Sequence, residues 1–339
     1  MKKSRKIAWT VVVSLILIAL VAGFGTLRHQ ALPITEDVRV NIPQGSTYQA
    51  LVDSMDAHGC IVSRAAFNTI AGLRGLPDHV KAGSYLFHPG TGIIRVIQKL
   101  YSGNQDAVRV TINKYRTDKD LCQFLSGCLT FHADSLLSLM RNDSVCALYG
   151  ETPASIIGMF LQNTYEYYWT ISPSQLLERM HKESEHFWKS RNKQLEDMGL
   201  TKQQVLTIAS IVEEETNDND EKPDIASVYL NRYRIGMPLQ ADPTVKFAIG
   251  DFSIRRIKSN MLSIDNPYNT YRYSGLPPGP ICIPSTKSID AVLKNKKTDY
   301  LFFCAKEDFS GKHNFAATNY EHTINAQRFH KALNDKNIH

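Results

Sequence analysis

The amino-acid sequence predicts an α+β fold with three parts: an N-terminal transmembrane helix, a small α/β module and a larger mixed α+β domain. Three observations predict it: an uncharged apolar stretch at residues 7–24, alternating strand and helix patterns over residues 38–112, and helical periodicity mixed with proline-rich segments beyond. A length of 339 residues, with 43% hydrophobic and 21% charged, suits two or three globular domains. The predicted parts are a tail (1–6), an anchor (7–24), a linker (25–37), the module (38–112) and the larger domain (113–339).

The apolar stretch at residues 7–24 is just long enough to cross a bilayer as a helix, at about 1.5 Å of rise per residue. Lys2, Lys3, Arg5 and Lys6 precede it, which predicts a cytoplasmic tail and places the rest of the chain outside the membrane. The alternative is a cleaved signal peptide. A retained anchor is favoured because the stretch is longer than a typical signal core and no Ala-x-Ala site follows it.

Charge and cysteine content exclude some functions. The formal charge is +6, but the N-terminal basic cluster accounts for most of the excess, so the remainder is nearly neutral and shows no basic face for nucleic acid. The spacing of the six cysteines matches no metal site, and no metal or organic cofactor is implied. Cys122 and Cys128 either form a disulfide across a turn or, like the others, are small buried thiols.

The module shows strand, helix, helix and strand in order. A strand pattern at 38–43 precedes a helix with Leu51, Val52 and Met55 on one face, Ser63 is the predicted cap of a second helix, and residues 83–87 form the closing strand. This order resembles a LysM module, a small fold that grips N-acetylglucosamine chains. The alternative is a spacer with no affinity for sugar.

The most informative segment is residues 201–216. Thr201 and Gln204 form a capping box, so a helix is predicted to begin at Lys202. Its apolar residues cover one broad arc, and at about 100° per residue Glu215 falls between Ile208 and Ile211, inside that arc. Burial there penalises the charged carboxylate, so we expect a raised pKa, as a general acid near neutrality needs.

The two neighbouring glutamates take other directions. Glu214 is expected to face solvent, and Glu213 to lie at one margin of the arc. The alternative is that all three glutamates are simply an acidic last helical turn that leads into the polar run at 217–221.

Downstream, Pro223 suits the first turn of another helix and Gly236 its C-terminal end. Amides, hydroxyls and aromatic rings then recur among Pro-Gly turns, which is typical of sugar binding but also of tight loops. The sequence blocks are Ala209-Ser210-Ile211-Val212-Glu213-x-Glu215-Thr216, Ala226-Ser227-Val228-x-x-Asn231-Arg232, Met237-x-Leu239-Gln240-x-Asp242-Pro243-Thr244-Val245, and Tyr268-Asn269-Thr270-Tyr271 followed by Gly275-Leu276-Pro277-Pro278-Gly279-Pro280-Ile281.

In order and spacing, these four blocks resemble the endolytic murein transglycosylase family (MltG/YceG-like), most densely over residues 205–283. The resemblance implies that the second glutamate of the Glu-x-Glu-Thr run, Glu215, is catalytic. Two segments depart from the family pattern: Gln162-Asn163 stands where Pro-Asp is usual, and Ile283-Pro284-Ser285 stands where Asn-Pro-Gly is common.

The resemblance implies a lytic transglycosylase that cleaves the β-1,4 bond between N-acetylmuramic acid and N-acetylglucosamine in nascent strands, leaves 1,6-anhydro-muramic ends and limits strand length. Glu215 is the expected acid and base. The candidates for positioning the sugar are Glu213, Gln240, Asp242, Thr244, Asn269 and Tyr271. The implied partners are peptidoglycan strands and membrane-bound peptidoglycan synthases, and the implied location is the outer side of the bacterial cytoplasmic membrane.

Two alternatives remain, and the second of them belongs to a different class. A muramidase would hydrolyse the same bond with Asp242 as its second carboxylate. A silent glycan-binding anchor would organise wall-synthesis enzymes without cutting. The intact Glu-x-Glu-Thr block argues against the anchor, because a binding protein has no need for an acid set among isoleucines.

Overall fold

The structure, a computed structural model, describes residues 31–254 and 256–336 together with Trp9, Val13 and Ser14. These residues separate into two compact units. One unit contains the described residues through Arg109, with Cys128–Thr130 and Glu166–Ile171; the other contains Val110–Gly127, Phe131–Tyr165 and the described residues from Ser172 onward.

The first unit is built from a two-stranded antiparallel sheet and three helices. Its elements are β1 (Val38–Ile42), α1 (Tyr48–Ala57), α2 (Arg64–Leu73), β2 (Gly83–Phe87) and α3 (Ile93–Ser102). Strands β1 and β2 pair so that Val38 lies opposite Phe87 and Ile42 opposite Gly83. The inward sides of both strands and of all three helices share one hydrophobic core.

Local sequence signals account for the helix starts in this unit. The hydroxyls of Thr47 and Ser63 accept hydrogen bonds from the backbone N–H groups of Ala50 and Ala66, and so satisfy donors left free in the first turns of α1 and α2. The predicted cap at Ser63 is confirmed, as is the order of strand, helix, helix and strand. Glycan binding by this module stays a prediction.

Helices dominate the second unit, and the described residues form two further two-stranded sheets. The strands are β3 (Val108–Ile112) with β4 (Asn163–Tyr167), and β5 (Phe302–Ala305) with β6 (His313–Ala316). The helices are α4 (Asp118–Cys128), α5 (Ala133–Met140), α6 (Asp143–Ala147), α7 (Pro173–Lys189), α8 (Asn192–Met198), α9 (Lys202–Glu215), α10 (Lys222–Arg234), α11 (Asp242–Ile249), α12 (Thr286–Leu293) and α13 (Asn319–Asp335).

Helix α9 lies at the centre of the second unit. It begins at Lys202 behind the capping box of Thr201 and Gln204, as predicted. Every residue from Val205 to Val212 is buried, and α10, α11 and α12 pack around the helix. The helix is therefore held along its length, and its last turn carries the three glutamates to a fixed position.

The Pro-Gly block packs against the same helix. Ser210 on α9 accepts a hydrogen bond from the backbone N–H of Ile281 at 3.0 Å, and both residues are buried. A Cβ at Gly279 would come within 2.0 Å of the carbonyl oxygen of Ala154. Glycine is required at this position because two backbone segments touch there. This part of the block therefore has a structural function.

The predicted anchor at residues 7–24 lies outside the described residues, apart from Trp9, Val13 and Ser14. Within the part of the chain that the structure describes, no helix combines the length and apolarity that a bilayer crossing requires. The cysteines are all free thiols. The disulfide alternative for Cys122 and Cys128 is wrong, because both lie in the continuous helix α4, about 9 Å apart along its axis at 1.5 Å per residue.

Candidate active site

The last turn of α9 places three consecutive glutamates in three different environments. All three side chains are partly buried, but helical rotation directs each of them at a different neighbour. The contacts of each carboxylate determine its charge near neutral pH, so they are described in turn.

Glu213 is bound by protein groups. Its Oε2 accepts hydrogen bonds from the hydroxyl of Ser285 at 2.6 Å and from the Ser288 hydroxyl, and it pairs with the ammonium of Lys222 at 3.0 Å. Burial alone would raise the pKa of Glu213, but these three donors outweigh it and hold the pKa below its ordinary value. Glu213 therefore stays ionised and ties the end of α9 to α10 and α12.

The expectation that Glu214 faces solvent is wrong. Only 13% of its side chain is exposed, because Arg116 approaches from the segment after β3 and forms two hydrogen bonds to the carboxylate, at 3.0 and 2.8 Å. Lys114 lies 3.2 Å away on the same side. Burial opposes ionisation, but Arg116 and Lys114 overcome it and lower the pKa of Glu214. A partner 98 residues away cannot be read from helical periodicity.

Glu215 forms no ion pair among the described residues, although the charge of Lys246 acts to lower its pKa. Burial raises its pKa to about 7, as the sequence predicts; a hydrogen bond from Tyr229 works against the rise, and the charge of Asp242 adds to it. The Tyr229 hydroxyl donates to Oε1 at 2.6 Å. Oε2 has no hydrogen-bond partner within the described part of the chain, so this oxygen is the one left for a substrate.

The contrast between the three carboxylates is the main electrostatic feature of the site. Two hydroxyls and Lys222 keep Glu213 charged, and Arg116 with Lys114 keeps Glu214 charged, whereas Glu215 exchanges its proton near neutrality. Environments that push the pKa values of neighbouring carboxyls apart are how proteins assign acid and base roles at pH 7. Of the three, only Glu215 is suited to general acid–base chemistry.

Glu215 opens into a cavity of about 370 Å³, a size typical of ligand sites. Three of the residues predicted from the sequence line it with Glu215: Gln240, Asp242 and Tyr271. The Tyr271 hydroxyl donates to Asp242 at 2.6 Å, so this second carboxylate is exposed but oriented. Gln240 adopts a left-handed backbone with φ of 51°, uncommon for a residue with a side chain, and its N–H donates to the carbonyl of Thr270.

Glu213, Thr244 and Asn269, also predicted from the sequence, do not line this cavity. Thr244 is fully buried and donates to the carbonyl of Ala241 at 2.7 Å. Asn269 is fully buried as well, and its amide donates to two backbone carbonyls of the preceding loop. These two residues shape the loops that carry Gln240 and Tyr271, and any contact of the three with sugar remains a prediction.

Sequence reasoning did not select several residues that the cavity contains. Arg232, on α10, is 7% exposed, and its guanidinium donates to the carbonyls of Leu301 and Leu239 at 2.6 and 2.7 Å. Arg232 is thus a cation in the wall of the cavity that Glu215 and Asp242 also line, and neutral acceptors hold it. The Asn231-Arg232 pair in the second sequence block was the signal from which a place for Arg232 in the site could have been predicted. Tyr229 had no such signal, since its role depends on α9 and α10 packing together.

Helix α13 adds Asn319 and His322 to the cavity wall. The ring of His322 stacks on Phe302 with centroids 5.3 Å apart, and its buried Nδ1 has no hydrogen-bond partner among the described residues. Burial, followed by the charge of Arg232, lowers the pKa of His322, so the imidazole is neutral near pH 7. Nothing in the sequence of this helix indicated a contribution to the site.

The two departures from the family pattern meet in the structure. The Gln162 amide donates to the carbonyl of Ile283 at 2.7 Å, and Ser285, two residues further, donates to Glu213. The substituted segments thus contact each other and reach the glutamate turn. Among the residues that the structure describes, no group of three or more His, Cys, Asp or Glu side chains is placed to hold a metal ion.

The chain is similar to known proteins over most of its length. The model of the YceG-like family matches residues 40–328. The chain is 28% identical to the endolytic murein transglycosylase of Bacillus subtilis, over 94% of this chain and 93% of that protein. It is 26% identical to the protein of the same name from Streptococcus pneumoniae, and spans 65% of that protein's length.

Among solved structures, a YceG-like protein from Listeria monocytogenes is 27% identical with a TM-score of 0.56, over 85% of this chain and 99% of that one. The family model covers well over half of the sequence and includes all three glutamates, the Asn231-Arg232 pair and the Pro-Gly block. The chain belongs to the YceG-like family.

Proposed function

We propose that this protein is an endolytic transglycosylase of peptidoglycan that cleaves the β-1,4 bond between N-acetylmuramic acid and N-acetylglucosamine. The names of its Bacillus and Streptococcus relatives support the reaction class. One observation carries the proposal: Glu215 alone in the glutamate turn has a pKa near 7, and it opens into a ligand-sized cavity.

In the first step Glu215 acts as the general acid. At neutral pH a carboxyl with a pKa of about 7 is protonated in about half of the molecules, so it can protonate the leaving glycosidic oxygen. Because Tyr229 donates to Oε1, the proton is expected on Oε2, toward the cavity. As the bond breaks, positive charge develops at C1 of muramic acid, and the carboxylate of Asp242 stabilises it.

In the second step the same carboxylate acts as the base. It takes the proton from the C6 hydroxyl of muramic acid while that oxygen attacks C1, which closes a 1,6-anhydro ring. Glu215 then carries a proton again and is ready for the next bond. One acid–base group suffices because the nucleophile belongs to the substrate and no water has to be activated.

A muramidase is the second candidate, and one observation favours it: Asp242 lines the same cavity as Glu215. Hydrolytic glycosidases use two carboxylates, one of which activates water or attacks C1. The hydroxyl of Tyr271 holds Asp242 and leaves one of its carboxylate oxygens for such a role.

The experiment is mass spectrometry of the products that full-length protein forms from uncrosslinked glycan strands. The transglycosylase proposal expects 1,6-anhydro-muramic ends, which are one water lighter than reducing ends. Glu215→Gln keeps the shape of the side chain but cannot donate the proton, so its rate should fall by about 10⁴-fold. Reducing ends would support the muramidase instead, and full activity of a folded Glu215→Gln protein would refute both.

We further propose that the protein is anchored in the bacterial cytoplasmic membrane by residues 7–24 and shortens strands as membrane-bound synthases make them. The basic tail and the apolar stretch support this placement. N-terminal sequencing of protein isolated from membranes tests it: the chain should begin within residues 1–6, and a start beyond residue 25 would contradict the anchor.

A further inference from the structure

A second cavity of about 390 Å³ lies in the same unit as the catalytic cavity and is similar to it in volume. Its walls include the small apolar side chains of Pro153, Ala154 and Pro280, the rings of Phe247 and Tyr268, and the charged start of α4. The reaction proposed above uses none of these residues.

The two cavities are consecutive along α11. A third, narrow cavity of about 40 Å³ is lined by Glu214 and Pro243. In the sequence these two residues are the immediate neighbours of Glu215 and Asp242, which line the catalytic cavity. The narrow cavity shares Arg116 with the second cavity, and α11 supplies a wall residue to all three. The three cavities therefore have α11 as a common wall.

The charge of the narrow and second cavities differs from that of the catalytic cavity. The basic residues that line the narrow and second cavities are Arg116, Lys119, Arg141 and Lys246; the acidic ones are Asp118 and Glu214. Arg116 pairs with Glu214 and Arg141 with Asp118, each through two hydrogen bonds. Among the described residues, Lys119 and Lys246 lie within ion-pair distance of no carboxylate, although the charge of Lys246 acts on Glu215, so the linings of the two cavities have an excess of positive charge.

We propose that the second cavity binds the peptide stem attached to the muramic acid at the cleavage site, and so makes the enzyme selective for strands that still bear their stems. This inference rests on the proposed function. The stem leaves the glycan at the lactyl group on C3 of the same muramic acid whose C1 bond Glu215 would cut, and α11 lines both the catalytic cavity and the second cavity.

The stem fits the chemistry of these two cavities better than further sugars do. Stem peptides are short, rich in alanine and carry free carboxylates, whereas the sugars of a stem-bearing strand are uncharged because each lactyl carboxyl is bound in the amide to its stem. Small apolar walls accommodate methyl side chains, and the two unpaired lysines attract carboxylates. A glycan subsite would have no use for the excess positive charge.

The test compares uncrosslinked strands that bear stems with the same strands after an amidase has removed the stems. The quantity measured is the ratio of kcat/KM on stem-bearing strands to kcat/KM on bare strands, because a general loss of folding or chemistry cancels in it. The wild-type ratio should be well above one. Lys119→Glu should reduce it roughly three- to tenfold, since reversal of an exposed charge turns attraction into repulsion.

Two more variants complete the design. Ala154→Trp fills the second cavity with an uncharged side chain and should lower the ratio as well. Lys193→Glu is the matched control: Lys193 is exposed in the same unit and lines none of the three cavities, so the wild-type ratio should persist. A wild-type ratio of one, or an unchanged ratio in both cavity variants, would overturn the inference without touching the proposed function.

A binding measurement separates the two proposals. The free stem peptide, titrated into full-length protein in a calorimeter, should bind to the wild type and less tightly to Ala154→Trp. Failure of the wild type to cleave either strand would refute the proposed function, whereas failure to bind the peptide would refute the inference. If the cavity variants weaken cleavage of long bare strands as much as that of stem-bearing strands, the second cavity binds sugars and the inference of a stem site is refuted.

Discussion

Replacement of Tyr229 by phenylalanine should move the pH profile of this enzyme upward. The hydroxyl donates to Glu215 Oε1 at 2.6 Å, and this hydrogen bond stabilises the charged form of a carboxyl that burial otherwise penalises. Tyr229 is 1% exposed, and burial, with the neighbouring carboxylate, raises its own pKa well above 10, so it remains a donor at every working pH. Loss of the hydroxyl therefore raises the pKa of Glu215.

The size of the shift follows from the type of bond. A hydrogen bond to a charged group contributes about 1.5–3 kcal/mol, and one pKa unit corresponds to about 1.4 kcal/mol. The pKa of Glu215 should therefore rise by about one to two units above its wild-type value of about 7. The ring itself is retained, so the packing between α9 and α10 should survive.

The assay is kcat/KM on uncrosslinked strands as a function of pH. Because Glu215 must be protonated in the free enzyme, wild-type kcat/KM should fall as pH rises through about 7. In Tyr229→Phe the fall should occur about one to two pH units higher. Tyr271→Phe is the matched control, since its hydroxyl donates to Asp242, and its profile should stay close to wild type. If kcat/KM of Tyr229→Phe fell at the same pH as that of the wild type or at a lower pH, the assignment of Glu215 as the acid would be refuted.

Further predictions concern stability. The pKa of Glu215 in the folded protein, about 7, lies above its ordinary value of 4.5. The free energy of unfolding should therefore decrease as pH rises from about 4.5 to 7, because the unfolded chain ionises this carboxyl more readily. In thermal unfolding, the free energy of unfolding of Glu215→Gln should equal that of the wild type at pH 4 and exceed it by up to about 3 kcal/mol at pH 8. Equal stability of the two proteins at both pH values would contradict the raised pKa. Glu214→Gln should lose about 1–3 kcal/mol in denaturant unfolding at pH 7, because Arg116 and Lys114 lose their charged partner; a silent substitution would restore the solvent-facing interpretation. Gly279→Ala should lower the free energy of unfolding by at least about 1–3 kcal/mol, because its Cβ meets the backbone carbonyl of Ala154. An unchanged denaturation midpoint would show that the backbone segments of Ala154 and Gly279 can separate freely.

The sequence alone predicted much of the local structure and the raised pKa of Glu215. Thr201 with Gln204 predicted where α9 begins, because a capping box involves only residues within one turn. The predicted caps at Ser63 and Gly236 are confirmed for the same reason, Gly236 having the left-handed φ of 71° that follows a helix end. The raised pKa of Glu215 followed from rotation about a single helix, since the face that buries isoleucines also buries a carboxyl placed among them.

Only the tertiary structure decided what the other charges do. Helical periodicity predicted an exposed Glu214 because its own helix offers it no partner. In the structure it pairs with Arg116, which lies 98 residues earlier in the sequence. Tyr229 and Arg232 lie on a second helix, and His322 on the last one, so their presence around Glu215 depends on how separate elements pack. Periodicity describes which way a side chain points from its own helix, whereas pKa, pairing and access to a cavity depend on what other segments place in front of it.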